Sequence, residues 1–279
     1  MRSPLVAVLA LGLLGVPAAA SAQKTSEQRT AWNQPFEPFQ IIDNLYYVGA
    51  SGVSSFLITT RAGSILLDGG LPETAPLIEK NIAKLGFRLA DVKYLLNSHA
   101  HYDHAGGLAE LKRKSHATLV ASREDAPVLR KGTPDQPPLV VDKEVRDGAV
   151  VKLGDTVLTA HVTPGHTRGC TTWTMTVAGA GKPHPVVFYC STSVVDRLVG
   201  NADYPQIVAD YERSFPLLRA LPCDIFLAPH PDFFQMASKR QRMGGSAPNP
   251  FVDPTEYRRF VDASERDFLA ELQKQRATP

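Results

Sequence analysis

Residues 99 to 107 read His-Ala-His-Tyr-Asp-His-Ala-Gly-Gly, directly after the apolar run "VKYLLNS". Three of the chain's eight histidines fall within positions 99–104, with Asp103 between them. In an extended His-x-His both imidazoles project to the same side, because side chains alternate with period two. His99 and His101 can therefore grip one ion. Asp103 and His104 follow where the chain turns into a helix and point elsewhere, an arrangement that suits two neighbouring metals rather than one. Neutral imidazoles with a carboxylate favour zinc, and an ion without full protein coordination keeps a position for water. A closed structural zinc site is usually rich in cysteine, which this stretch lacks.

Two further histidines stand at strand ends, where loop-borne ligands converge. His166 lies in the turn "TPGHTRG", and His230 in "LAPHPD" directly after the apolar run 224–228. The other three lack such settings. His161 falls mid-strand and reads as structural, whereas His116 and His184 read as solvent-exposed loop residues.

The elements that must position these side chains come in two rounds. Residues 23–38 read as a loose N-terminal arm. "FQIIDNLYYVGA", "VSSFLITT" and "GSILLDGG" are rich in β-branched and aromatic residues and read as successive strands. "PETAPLIEKNIAKLG" follows as a helix with Leu77, Ile78, Ile82 and Leu85 on one face and Gly86 as its stop. "VKYLLNSH" and "HATLVAS" read as strands, with helices at "AGGLAELKRK" and "REDAPVLRK". The second half restarts with strands in "AVVKLGDTVLTAHVT", "CTTWTMTV" and "VVFYC", the last two joined by a turn through "AGAGKPHP". "YPQIVADYERSFPLLRAL" is helical, with Ile207, Val208, Tyr211, Phe215 and Leu218 inward and a kink expected at Pro216. "CDIFLAPH" is a buried strand. Asp253 reads as the N-cap of the last helix, with Pro254 in its first turn and Glu256 closing a capping box. Tyr257, Phe260, Val261, Phe268 and Leu272 form that helix's apolar side.

Strands open each half and helices close it. Two mixed sheets packed face to face with helices outside, a four-layer αββα sandwich of the α/β class, bury both sheets. Either half alone would leave a sheet face bare, so residues 23–279 read as one domain. Residues 1–22 carry Arg2, a short apolar core over 5–16 and the small-residue ending "AAASA", the pattern of a secretory signal peptide cut after Ala22 and too short to span a bilayer. A periplasmic or secreted protein is expected, with no membrane partner. Lys plus Arg number 30 against 28 Asp plus Glu, and without a basic block no nucleic-acid partner is expected either. No heptads demand an oligomer, so a monomer is the default.

An exported chain permits disulfides, and three cysteines leave at least one thiol over. Cys170 and Cys190 stand symmetrically about the hairpin turn and can bridge across it. Cys223 reads as a buried free thiol.

"HAHYDHAGG" resembles the signature of the metallo-β-lactamase superfamily, and the likeness runs over nearly all of residues 23–279. "SILLDGG" is similar to that superfamily's first motif, which implies that Asp68 supports a ligand from behind. The resemblance further implies two zinc ions, the first held by His99, His101 and His166, the second by Asp103, His104 and His230. Within the superfamily, glyoxalases and many lactonases resemble "FTGD" where this chain has "YCSTS", so Ser191 stands where their bridging aspartate would. Another lactamase subclass has a zinc-binding cysteine one residue from Cys190, which the disulfide reading is preferred to. Ser191, Ser193 and the stretches "TAHVTPGHTRGCTTW", "NADYPQIVADYERSF", "LPCDIFLAPHPDFF" and "APNPFVDPTE" resemble subclass B3 metallo-β-lactamases. The implied activity is hydrolysis of the β-lactam amide of penicillins, cephalosporins and carbapenems by a water that the zinc pair acidifies, with Asp103 orienting it. Ser191 and Ser193 would hydrogen-bond the small-molecule substrate's carboxylate. Phe233, Phe234 and Met236 either wall the pocket or fill the core. The alternatives are an acyl-homoserine lactonase or other zinc-dependent ester or thioester hydrolase, and a zinc-storage protein without turnover.

Overall fold

The computed structural model describes residues 26–179, 181–244 and 248–277; the expected signal peptide lies outside them. The chain folds as two mixed sheets with helices outside, as the element pattern required. The first sheet has seven strands in sequence order: β1 (Phe39–Ile42), β2 (Leu45–Tyr47), β3 (Phe56–Thr60), β4 (Gly63–Leu67), β5 (Val92–Leu96), β6 (Thr118–Ser122) and β7 (Lys143–Val145). Its first four strands are an antiparallel meander, and β4 to β7 run parallel. Parallel neighbours need crossovers, and helices supply them. After a first helix over 26–32 (α1) come α2 (Ala75–Lys84), the short α3 (Tyr102–Ala105), α4 (Leu108–Ser115) and α5 (Ala126–Lys131). The second sheet, in the order β12-β11-β10-β9-β8, comprises β8 (Val150–Leu153), β9 (Thr156–Val162), β10 (Thr171–Gly179), β11 (Lys182–Phe188) and β12 (Ile225–Leu227). Helix α6 (Ile207–Ala220) makes the parallel crossover from β11 to β12, followed by α7 (Met236–Arg242) and α8 (Glu256–Ala277).

Two apolar clusters hold the layers. Phe56, Trp173, Phe188 and Phe226 belong to one that joins both sheets and continues beneath α6 and α8, where the Tyr211 and Phe268 rings stack at 4.8 Å. Ile78, Ile82, Leu108 and Leu129 belong to the other, which seats α2, α4 and α5 on the outer face of the first sheet. Among the described residues no helix is long and apolar enough to cross a membrane.

Several local expectations change. Residues 26–34 are not a loose arm: Arg29 donates to Glu73 at 2.9 Å and Asp135 at 2.7 Å, and Asn33 accepts from Thr74, so polar side chains moor a helix with little apolar surface. On α2 Asn81 is buried beside Ile78 and Ile82, and its amide donates to the Val48 and Gly49 carbonyls; Leu77 and Leu85 are half-buried. Helix α6 is continuous through Pro216. The ladder of β10 and β11 runs on until Gly179 pairs with Lys182, within the stretch expected to turn. Pro183 and Pro185 consequently lie within β11, beyond the reach of the short β12 that pairs only with residues 186–188, so their missing N–H groups break no ladder. That register places His184 inside the strand. It is buried, with Nδ1 2.7 Å from Asp224, rather than solvent-exposed. His116 is exposed at the left-handed end of α4, and His161 bonds Thr174 across β9 and β10.

At the last helix, Asp253 accepts from the Thr255 N–H in the manner of a cap. The capping box does not close. The Asp253 N–H is taken by the Asp224 carbonyl, and the Glu256 carboxylate turns to Lys239 in a buried ion pair.

Cys170 and Cys190 are joined by a disulfide, with Cα atoms 5.8 Å apart. The pairing of Trp173 with Phe188 would set Cys170 opposite Ser191, so the bridge runs diagonally where the two strands part. Cys223 is free, and burial pushes its thiol up to about 12.

Candidate metal centre

The side chains singled out in the sequence converge where the carboxyl ends of β4 and β5 meet the loops after β9, β11 and β12. They form two groups of three, His99 with His101 and His166, and Asp103 with His104 and His230. Within each group one candidate ligand atom per residue lies within 4.8 Å of the others. The His99 ring stands 4.9 Å from His101, 4.7 Å from His166 and 4.5 Å from His104, so the two groups adjoin.

The double glycines explain how the first motif meets the second. The Gly69 N–H donates to the His104 carbonyl at 2.8 Å, and the Gly107 N–H to the Gly70 carbonyl at 3.2 Å. A Cβ on Gly107 would lie 2.2 Å from the Gly69 oxygen, so only glycine lets the loop after β4 dock against the turn between α3 and α4. That docking presents Asp68, in the left-handed region at φ 62°, to the other motif. Its carboxylate accepts from the Ser98 N–H at 2.7 Å and the Asn97 amide at 3.3 Å, immediately before His99. Burial pushes Asp68 up to about 6, against the opposing pull of His104 and the Ser98 bonds.

Hydrogen bonds fix the rings. His166 Nδ1 donates to the Ser193 carbonyl at 2.7 Å, and His230 Nδ1 to the Gly52 carbonyl at 2.9 Å. Each therefore keeps its Nε2 lone pair for another partner. His99 Nδ1 lies 3.0 Å from the Ser98 hydroxyl, while its buried Nε2 has no partner; buried His104 Nδ1 has none either. Buried polar atoms are rarely left so. A cation held by these nitrogens would satisfy them, and neutral imidazoles with one carboxylate are the donor set a borderline divalent ion prefers. The residues present thus fit a metal.

Protonation favours the same chemistry. Burial, reinforced by neighbouring imidazoles, holds His99 well below its ordinary value, His166 at about 3 and His230 at about 4. His101 is lowered too, again by burial. Burial would raise Asp103, but His104, His230 and His101 overcome it and hold the carboxylate well below its usual range. His104 is raised because Asp103 and Asp68 outweigh its burial. Four rings held toward the neutral form and an ionised carboxylate need shed few protons to take up a cation, and His104 is the ring that must give one up.

Above these residues opens a cavity of about 510 Å³. Ser191, Ser193 and Phe233 line it, whereas Phe234 and Met236 are core residues. The Ser191 hydroxyl accepts from the Ser193 N–H at 3.1 Å, the turn-capping bond that a serine at a strand end commonly makes. Sequence reasoning missed Trp32, which lines the cavity 5.1 Å from the His230 ring. A lone aromatic in an arm read as loose carries no local signal of its place.

The chain belongs to the metallo-beta-lactamase superfamily, whose family model matches residues 48–230. That fold and family define a hydrolase with a divalent-metal centre, typically zinc. Among solved structures it is similar to BJP-1, a subclass B3 metallo-beta-lactamase of Bradyrhizobium japonicum, at 45% identity and TM-score 0.85, covering 88% of this chain and 97% of that one. The FEZ-1 metallo-beta-lactamase from Legionella gormanii is 42% identical at TM-score 0.85, covering 88% and 98%. A hydroxyacylglutathione hydrolase of Rhodopseudomonas palustris strain BisB18 is 38% identical over 96 residues, 34% of this chain and 32% of that protein. The chain thus spans about a third of the length of the curated relatives it matches first.

Proposed function

We propose that the chain is a β-lactamase of the subclass B3 kind, using two zinc ions to hydrolyse the amide of penicillins, cephalosporins and carbapenems. One observation carries this reading. The likeness to BJP-1 extends over 97% of that enzyme, whereas the likeness to a hydroxyacylglutathione hydrolase stops at a third of its length.

His99, His101 and His166 would hold the first ion, and Asp103, His104 and His230 the second. When bound, the ions supply a water acidic enough to act as a nucleophile near neutral pH and a Lewis acid for the carbonyl oxygen. The chain's own groups do the rest. Asp103, whose Oδ2 lies 3.3 Å from His104 Nε2 and 3.5 Å from His230 Nε2, would accept a hydrogen bond from the attacking water and orient it. Ser191 and Ser193, on the cavity wall, donate hydroxyl protons to the substrate carboxylate and fix the lactam over the ligands. Asp68 holds the Ser98 N–H and with it the approach of His99. Trp32 and Phe233 supply apolar walls on either side of His230 and keep bulk water off the reacting carbonyl. The leader pattern supports export to the periplasm or beyond, with residues 23–279 acting as one monomeric domain.

The coverage by hydroxyacylglutathione hydrolases makes thioester hydrolysis the second reading. Incubating the purified protein with a chromogenic cephalosporin, an acylglutathione thioester and an acyl-homoserine lactone, each with and without chelator, decides between them. Chelator-sensitive opening of the cephalosporin is expected. Thioester or lactone turnover with an intact cephalosporin would install the alternative, and zinc binding without any turnover would leave a storage protein.

A further inference from the structure

Asp125 belongs to none of the motifs and does not line the cavity. It stands between β6 and α5 with its carboxylate buried, 2% exposed. Oδ2 accepts from the Ala100 N–H and the Thr167 hydroxyl, both at 2.9 Å, and Oδ1 accepts from the Gly169 N–H at 2.8 Å. Ala100 separates His99 from His101, Thr167 follows His166, and Gly169 precedes the bridged Cys170. One carboxylate therefore ties together the two distant segments that carry the three-histidine group.

The packing leaves no slack in that tie. A Cβ on Gly169 would lie 2.0 Å from the Ser122 hydroxyl and 2.7 Å from Asp125 Cγ. The Ser122 hydroxyl in turn accepts the Asp125 N–H at 3.1 Å, fixing the start of α5. All three groups facing the carboxylate are donors. An amide in its place would turn N–H groups toward a donor and lose at least one of the three bonds.

We infer that Asp125 is a positioning residue for metal binding: it clamps the His99–His101 segment to the His166 turn, so that three imidazoles reach one cation. The inference rests on reading His99, His101 and His166 as metal ligands. Groups behind ligands commonly change metal affinity ten- to a hundredfold when removed, because ligand geometry must hold within about half an ångström.

The test uses the full purified protein, stripped of metal and reloaded, with Asp125→Asn and the milder Thr167→Val, which removes one bond only. Zinc affinity is read by competition with a chromophoric chelator, ligand geometry by the visible absorption of the cobalt(II)-loaded protein, and folding separately by urea denaturation. Asp125→Asn is expected to weaken one of two zinc ions by about ten- to a hundredfold and to alter the cobalt spectrum. Thr167→Val is expected to act in the same direction by a smaller factor. Wild-type zinc affinity within twofold and an unchanged cobalt spectrum, with only a lower midpoint in urea, would overturn the inference and leave Asp125 a fold-stabilising residue. Where Asp125→Asn does not fold, an unchanged Thr167→Val overturns it. These readouts need no substrate, so absence of β-lactam turnover counts against the proposed activity alone, and absence of zinc binding in the wild type counts against both.

Discussion

Removing the Cys170–Cys190 bridge tests where its stabilisation resides. The two sulfurs close a loop with a sequence separation of 20 between the linked positions. In the folded chain the β10–β11 ladder already holds these strands together from Trp173 to Lys182, so the bridge adds little order there. Its effect belongs to the unfolded chain. For a closed loop of about 20 residues the lost entropy is roughly 11 cal/mol/K, or about 3.3 kcal/mol at 25 °C. At this chain length, that corresponds to a fall in Tm of about 6 to 13 °C. The variant is Cys170→Ala with Cys190→Ala, since both positions are fully buried and serine would bury two hydroxyls. Urea denaturation of the metal-free protein gives both the free energy and the m value. Without the crosslink the unfolded chain expands and exposes more surface, so m must rise while stability falls. A loss below about 1 kcal/mol would refute the loop-closure account. So would a loss of the expected size with m unchanged, because the bridge would then act through native packing around His99.

Acidification of the metal-free protein is a second test. His99, His166 and His230 are neutral in the fold, the latter two down to about 3 and about 4, so their contribution is complete above pH 6.5. Each loses about 1.4 kcal/mol per pH unit as pH falls below 6.5. Asp68 and Asp125, both raised to about 6 by burial, return stability between about pH 6 and 4. His104, raised, is charged in both states below 6.5 and adds no slope there, whereas His101, lowered, adds to the loss just below 6.5. Three histidines against two carboxylates leave a net loss of at least about 1.4 kcal/mol per unit between pH 6 and 4; stability that stays flat or rises there, in urea melts at stepped pH, would contradict the assignment. The buried Lys239–Glu256 pair gives a third test. Lys239→Met should destabilise by about 3–5 kcal/mol by leaving a buried carboxylate alone, and adding Glu256→Gln should recover most of it. A single variant within about 1 kcal/mol of wild type would show that Glu256 finds another partner.

What was legible in the sequence follows from how far each signal reaches. Period-two alternation needs only neighbours, and it put His99 and His101 on one side and divided them from Asp103 and His104 without any knowledge of the fold. The structure groups the same side chains in the same way. Apolar periodicity likewise located most strands and helices, because burial of a face is recorded along the element itself. It failed where a polar residue does the filling. Asn81 on α2 and His184 on β11 are buried through bonds to partners 33 and 40 residues away, and nothing nearby in the chain announces those partners. Glu256 shows the same limit from the other side. Its spacing from Asp253 fits a capping box, yet Lys239 is the stronger partner once α7 and α8 are brought together.

Asp125 is the furthest case. Three donors meet its carboxylate, and the Thr167 and Gly169 partners lie 42 and 44 residues along the chain, while Ala100 lies 25 back. None of the four residues forms a pattern until β5, β6 and β9 have placed their loops at one end of the sandwich. Ligands cluster in sequence because one short turn can present several donors to an ion. The group that holds two such turns in register must by geometry come from a third segment, so a motif search directed at the ligands passes over it.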